Sequence, residues 1–225
     1  MNVLLESKGL HKSYLLGGRK EQPVLRDIDL SITQGEFVSV MGPSGSGKST
    51  LLYTVCGMDR MNSGSVHFGG RDISGLSEQE LSAMRLREMG FVFQQIHLLK
   101  NLSIFDNIVL SGYLAKTRSR GSVNTRAVEL MKKTGILELA KNDIGEASGG
   151  QLQRVGICRA LINEPPIVFA DEPTGALNSA ASEEIMDLLA DIHEEGTTIM
   201  LVTHDVRVAA RSERVLCMID GRIVS

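Results

Sequence analysis

The run Gly42-Pro43-Ser44-Gly45-Ser46-Gly47-Lys48-Ser49 carries the spacing G-x-x-x-x-G-K-[ST]. It follows the apolar segment Phe37–Met41 and opens Lys48–Cys56, whose apolar spacing is helical and which Gly57 ends. Glycines at this spacing let successive backbone N–H groups turn inward around phosphate oxygens, and the helix N-terminus adds partial positive charge. The Lys48 ammonium is placed to reach the β- and γ-phosphates of a nucleotide, and the Ser49 hydroxyl to bind Mg²⁺. The expected phosphate-binding set is Gly42, Ser44, Gly45, Gly47, Lys48, Ser49 and Thr50. Such a loop needs a second, acidic site for metal and water. Ile167–Ala170 is an apolar strand that runs into Asp171 and Glu172. Asp171 is expected to hold Mg²⁺ through water, and Glu172 to polarise the attacking water.

The elements around these residues alternate. Ile28, Leu30 and Ile32 alternate with polar residues as a half-buried strand. Phe37–Met41, Ser65–Phe68, Phe91–Phe93, Ile167–Ala170, Thr197–Val202 and Val215–Ile219 read as further strands, with a hairpin at Asp220-Gly221. Ser77-x-x-Glu80 is a capping box for a helix reaching about Arg87. From about residue 96 to 162 the period becomes helical: Leu102–Lys116 behind an Ser103 cap, Thr125–Thr134 behind an Asn124 cap, and Ser148–Leu161, with Arg118–Gly121 as a connecting loop. Ser179 is the expected cap of a long helix ended by Gly196, and a short helix is expected over Asp205–Arg211. The pattern predicts an α/β fold with a parallel-sheet core and an inserted all-helical subdomain at about 96–162.

Composition narrows the function classes. Hydrophobic residues make up 42% and charged residues 23%, as in an ordinary globular chain. Lys plus Arg number 24 against 27 Asp plus Glu, a net charge of −3, so no basic field for nucleic acid exists. The longest apolar run, Val215–Ile219, falls far short of the ~20 residues that span a bilayer. The start lacks the basic-then-apolar layout of a secretory signal, so a cytoplasmic location is expected. Cys56, Cys158 and Cys217 are isolated and read as reduced core thiols, and the five histidines lack zinc-site spacing.

Ala147-Ser148-Gly149-Gly150-Gln151-Leu152-Gln153-Arg154 resembles the signature motif of ATP-binding cassette (ABC) proteins, usually Leu-Ser-Gly-Gly-Gln. The rest of the chain is similar to that family in order, which implies a phosphate-loop (RecA-like) parallel-sheet core, an N-terminal antiparallel β part and a single ATP-binding domain over 1–225. Tyr14 resembles its adenine-stacking aromatic, Gln94 its Q-loop glutamine, Asp171–Asn178 its acidic motif running into the D-loop, and His204 its switch histidine. The resemblance implies an ATPase using ATP and Mg²⁺, with Glu172, His204 and Gln94 catalytic and Ser49, Gln94 and Asp171 at the metal. It also implies that Ser148, Gly149, Gly150 and Gln151 complete the ATP site of a second, identical subunit. Two positions depart from the pattern: Ala147 stands for Leu, and Asn178 for the D-loop Asp.

Gly90–Gln95 and Ala170–Leu177 resemble the branch of macrolide export, lipoprotein release and antimicrobial-peptide resistance, whose permeases are FtsX-like. The implied partners are a second ATP-binding subunit and such a permease, its coupling helix received in a groove formed partly by Gln95–Tyr113. The implied location is the inner face of the cell membrane, with no span of its own and no nucleic acid. The alternatives are an FtsE-like ATPase regulating cell-wall or division machinery and a soluble non-transport ABC ATPase. Only 54 positions separate Gln94 from Ser148, leaving no room for the long coiled-coil insertions of repair ATPases.

Overall fold

Adjacent apolar strands fix the centre of the molecule, which a computed structural model describes over residues 2–17 and 20–224. β1 (Val3–Leu16) and β2 (Lys20–Thr33) form a long antiparallel pair. β3 (Phe37–Met41) leads through the glycine-rich loop into α1 (Lys48–Val55). β4 (Ser63–Phe68) and the short β5 (Arg71–Asp72) complete a four-stranded antiparallel sheet in the order β2-β1-β4-β5. α2 (Glu78–Glu88) then leads into β6 (Met89–Phe93). Three helices follow in succession, α3 (Ile104–Ala115), α4 (Arg120–Lys133) and α5 (Gly149–Leu161). The chain returns through β7 (Ile167–Asp171), α6 (Ser179–Glu194), β8 (Thr198–Thr203), α7 (Val206–Ala209), β9 (Arg214–Ile219) and β10 (Arg222–Ile223). The second sheet has the order β10-β9-β3-β8-β7-β6, parallel except for β10. This is the α/β architecture expected, with its antiparallel part and its helical insertion.

β3, β7 and β8 are buried on both faces, which is why they read as continuous apolar runs. Ile167 and Phe169 of β7, with Met200 and Val202 of β8, pack towards α1 and the antiparallel sheet. Their neighbours Val168, Ala170, Ile199 and Leu201 pack with α3–α6 on the other side. The strand period of two thus divides one core from the other.

Helix starts follow local chemistry. Ser77 and Glu80 make the reciprocal capping box, Ser103 accepts from the Asp106 amide, and Ser148 with Gln151 forms a second box. Two expected caps are corrected. The fourth helix begins at Arg120 with Ser119 as its cap, so Arg120–Gly121 are helical rather than loop, and Asn124 lies inside the helix, accepting from the Tyr113 hydroxyl at 2.5 Å. Val123, Ala127, Leu130 and Met131 bury one face there, and that packing outweighs the cost of the exposed Gly121, about 1 kcal/mol. The sixth helix is capped by Asn178, whose Oδ1 accepts from the Ala181 amide at 2.9 Å, and Ser179 is its first residue.

Gly90 lets α5 approach β6. A Cβ there would lie 2.8 Å from the Ala160 carbonyl oxygen and 3.1 Å from Pro165. Gly90→Ala is expected to destabilise the fold by about 1–3 kcal/mol, read as a lower midpoint in urea denaturation at unchanged slope. A midpoint equal to wild type would contradict this packing.

Candidate functional site

Strand register brings the chemistry-bearing residues to one edge. Met41 pairs with Thr203, and Asp171 with Val202, so β3, β7 and β8 end together. From that edge emerge the loop after Met41, Glu172 after β7 and His204 after β8. Val24, Ser44, Gly45, Gly47, Lys48, Ser49, Thr50, Glu172 and His204 line one open cleft of about 350 Å³. Of these, Val24 was not signalled by any motif.

The loop has the form of an anion cradle. Gly45 and Gly47 have φ of 81° and 99°, a region that glycine occupies without strain. A Cβ on Gly47 would stand 3.0 Å from the Val24 carbonyl oxygen, and one on Gly42 would stand 2.1 Å from that of Met218. Lys48 is buried, yet its ammonium donates only to the loop carbonyls of Gly42 and Pro43, at 2.8 and 3.0 Å. Among the described residues it pairs with no carboxylate. Ser46 Oγ is buried without a hydrogen-bond partner in the same loop. A cation paid for by no acid, beside a helix N-terminus, suits a polyphosphate.

Asp171 is 9% exposed and fully engaged. Its Oδ1 accepts from the Ser49 hydroxyl at 2.8 Å and its Oδ2 from the Tyr53 hydroxyl at 2.6 Å. Burial, and then Asp171, push the Tyr53 phenol pKa well up, so it remains a donor. No group of three or more His, Cys, Asp or Glu among the described residues is arranged to hold a metal. Ser49 and Asp171 instead offer adjacent hard oxygens, which fits Mg²⁺, an ion that keeps waters and takes substrate phosphates as ligands.

Glu172 has φ 48°, rare for a residue with a side chain. Its amide donates to Val202 O at 2.9 Å, one carboxylate oxygen meets His204 Nδ1 at 2.8 Å, and the other accepts from Thr203 Oγ1 at 3.3 Å. The His204 side chain is 68% exposed and so free to meet a ligand. Gln94 lies just beyond β6 and outside the cleft lining. Its amide abuts the turn from Glu172 to Gly175, where a Cβ on Gly175 would lie 2.8 Å from Gln94 Nε2. Tyr14 also lies outside that lining. Its hydroxyl donates to Asp59, Lys12 Nζ stands 4.7 Å from its ring centroid, and Lys12 pairs with Asp59 at 2.5 Å. Burial raises the Tyr14 phenol pKa, Asp59 adds to this, and Thr50 opposes it.

Ser148, Gly149, Gly150 and Gln151 are elsewhere. With Arg154, Asn178 and Glu184 they line a second cleft of about 280 Å³ that shares no residue with the first. A third cleft, about 370 Å³, is bordered by α2, β6, α3 and α5 and lined by Met58, Arg85, Phe91, Phe93, His97 and Arg159 among others. Burial lowers the Arg159 pKa, and its guanidinium donates to the Ile96 and His97 carbonyls at 2.6 and 3.0 Å. Sequence reading missed Tyr53, although Ser49 and Tyr53 are spaced one helical turn apart and share a face.

A family model described as ABC transporter matches residues 25–175. The uncharacterized ABC transporter ATP-binding protein YknY of Bacillus subtilis is 44% identical, the match covering 98% of this chain and 95% of that protein. The macrolide export ATP-binding/permease protein MacB of Chlorobium luteolum is also 44% identical, over 99% of this chain, but the chain spans only 33% of that protein's length. A dimeric post-hydrolysis structure of the ATP-binding cassette MJ0796, bound to ADP and Pi, matches with a TM-score of 0.91 at 38% identity, covering 99% of this chain and 97% of that one.

Gly47→Ala places a methyl against Val24 at a left-handed backbone position. It is expected to weaken nucleoside-triphosphate binding at least ~10-fold while the fold persists, measured by equilibrium titration with a fluorescent nucleotide. Unchanged affinity would mean that this loop does not close on phosphate.

Proposed function

The chain belongs to the ABC transporter family and is an ABC ATPase, and from that premise we propose that it powers an FtsX-like permease from the inner face of a membrane. No described helix is long and apolar enough to cross a bilayer, so in this reading the permease supplies the membrane contact. The name of MacB joins an ATP-binding part to a permease, which supports such a partner. Macrolides, antimicrobial peptides and lipoproteins are the substrate classes of the branch that the motifs resemble. The cleft bordered by α2, β6, α3 and α5, lined in part by His97 and Ser111, is the proposed seat of the coupling helix.

One observation carries the catalytic reading: Lys48, Ser49, Glu172 and His204 line a single cleft with the glycine-rich loop. In the proposed reaction the loop amides and Lys48 bind the β- and γ-phosphates, and Tyr14 and its neighbours receive the adenine. Glu172 orients the attacking water and polarises it. His204 holds that carboxylate at 2.8 Å and addresses the γ-phosphate. Ser49 and Asp171 would hold Mg²⁺, with Gln94 as a further ligand, and the bound ion would supply neutralisation of phosphate charge.

The separation of the two clefts supports a shared site. Ser148–Gln151 cap a helix whose N-terminus, open beside Gly149 and Gly150, is suited to an anion, yet no phosphate loop stands there within the same chain. A head-to-tail homodimer brings each such N-terminus to the partner's nucleotide. The dimeric MJ0796 cassette, 38% identical, has the fold this requires.

ATPase rate per subunit should therefore fall steeply on dilution through the dimer's dissociation range. A constant specific rate at concentrations where ultracentrifugation finds monomer would sink the shared site. Glu172→Gln should bind ATP normally, lose ~10²–10⁴-fold in turnover and accumulate as an ATP-bound dimer on size-exclusion chromatography. Turnover close to wild type in this variant would remove Glu172 from the chemistry.

A further inference from the structure

Asp171 is gripped by one helix from two points. β7 alternates, so Ile167, Phe169 and Asp171 share the face that α1 covers. Ser49 and Tyr53 are four residues apart on α1, and both reach that carboxylate. Ser49 Oγ takes Oδ1 and the Tyr53 hydroxyl takes Oδ2. Ser49 is already assigned to the phosphate-loop chemistry. Tyr53 belongs to no motif, lies outside the cleft lining, and meets the site through its bond to Asp171.

The phenol is itself held. Its ring tilts against Phe93 at a centroid distance of 6.4 Å, Phe93 stacks on Phe91 at 5.9 Å, and Phe91 stacks on Phe169 at 5.6 Å. Phe91 pairs with Phe169, and Phe93 with Asp171, across β6 and β7, so this aromatic row and the carboxylate lie on one sheet face. A carboxylate's terminal torsion is soft and defined only by its partners. With Oδ2 fixed by a short charge-assisted bond from an immobile donor, Oδ1 is left directed at Ser49.

We propose that Tyr53 is a positioning residue for the metal site, fixing the rotation of Asp171 so that Oδ1 and the Ser49 hydroxyl present a preformed pair of oxygens to Mg²⁺. This rests on the reading of Asp171 as the metal carboxylate. In this role Tyr53 acts by holding a ligand's orientation, as partners of metal-binding groups generally do.

The test uses the full chain with Tyr53→Phe, which keeps the ring and its stacking and removes one oxygen. Binding of a fluorescent ATP analogue is measured in EDTA and then across a Mg²⁺ titration. Affinity in EDTA should stay within about two-fold of wild type, while the Mg²⁺ concentration giving half of the metal-dependent gain rises ~10-fold. In turnover, the apparent constant for Mg²⁺ should rise in step, with kcat at saturating Mg²⁺ nearly kept. Tyr53→Phe added to Asp171→Asn should change the Mg²⁺ midpoint no further. An unchanged midpoint in Tyr53→Phe, an equal loss with and without Mg²⁺, or the same shift in the Asp171→Asn background would each overturn the proposal. Asp171→Asn alone separates the two readings. If it leaves the Mg²⁺ midpoint unchanged, the assignment of Asp171 fails; if it raises that midpoint while Tyr53→Phe does not move it, only the role of Tyr53 fails.

Discussion

The parallel register of β3, β7 and β8 is the constraint on which the site depends. Phe37 to Met41 pair in order with Ile199 to Thr203, and Ile167 to Asp171 with Thr198 to Val202. Because a strand alternates faces, sliding β7 by one residue would turn Asp171 away from α1 and put Ala170 in its place. The apolar packing opposes such a slip: Phe169 belongs to the core beneath α1, and Val168 and Ala170 to the core beneath the helical insertion. Burial on two sides therefore does the positioning, and the polar bonds of Asp171 and Glu172 refine what the register has set. Glu172 departs from strand geometry at the first residue past β7, where its positive φ swings the carboxylate towards His204 while its amide keeps a bond to Val202.

The two helix starts proposed to face nucleotide are built differently. α1 starts at Gly47 in a left-handed conformation with no side-chain cap, leaving its amides to a ligand. α5 starts at a complete capping box, Ser148 with Gln151, so its first turn is fixed without a ligand. The proposed division of labour follows. The first helix needs phosphate to satisfy it, whereas the second is a finished surface ready to be placed against one. Ala147, where the family usually has Leu, still packs against the helical core, so the start of α5 keeps its apolar anchor in a smaller form.

Motifs made the chemistry of the site legible because the phosphate loop, the acidic pair and the capping boxes are local: each is a few residues whose spacing states its geometry. Legibility failed where local and tertiary signals disagree. Arg118–Gly121 looks like a loop by composition, yet the apolar face from Val123 to Met131 draws helix back to Ser119. β1 gave little strand signal because register shifts between Ser7 and Leu10, and again before Lys12, break its alternation. The bond from Tyr53 to Asp171 joins residues 118 positions apart. Only the packing of α1 on β7 brings them together, and no spacing rule reaches that far.

Asn178 unites several of these arguments. It caps α6 and also lines the cleft of the signature residues. As a cap it is equivalent to the Asp that the family usually carries, since either side chain accepts from the amide of Ala181. The choice between them is therefore indifferent to the monomer's helix, or slightly favours Asp through the helix dipole. What distinguishes them is charge at the mouth of the cleft. Arg154, the cation lining that cleft, is already committed to Glu184 at 2.8 Å and to the Thr134 carbonyl at 2.7 Å. A carboxylate at position 178 would join Glu184 beside a single engaged guanidinium, and closing a second subunit over it would strip its water without supplying a partner from this chain. The neutral amide keeps the cap and avoids that cost. On the proposed dimer reading, this is a physical reason for Asn at a position where the family carries an acid.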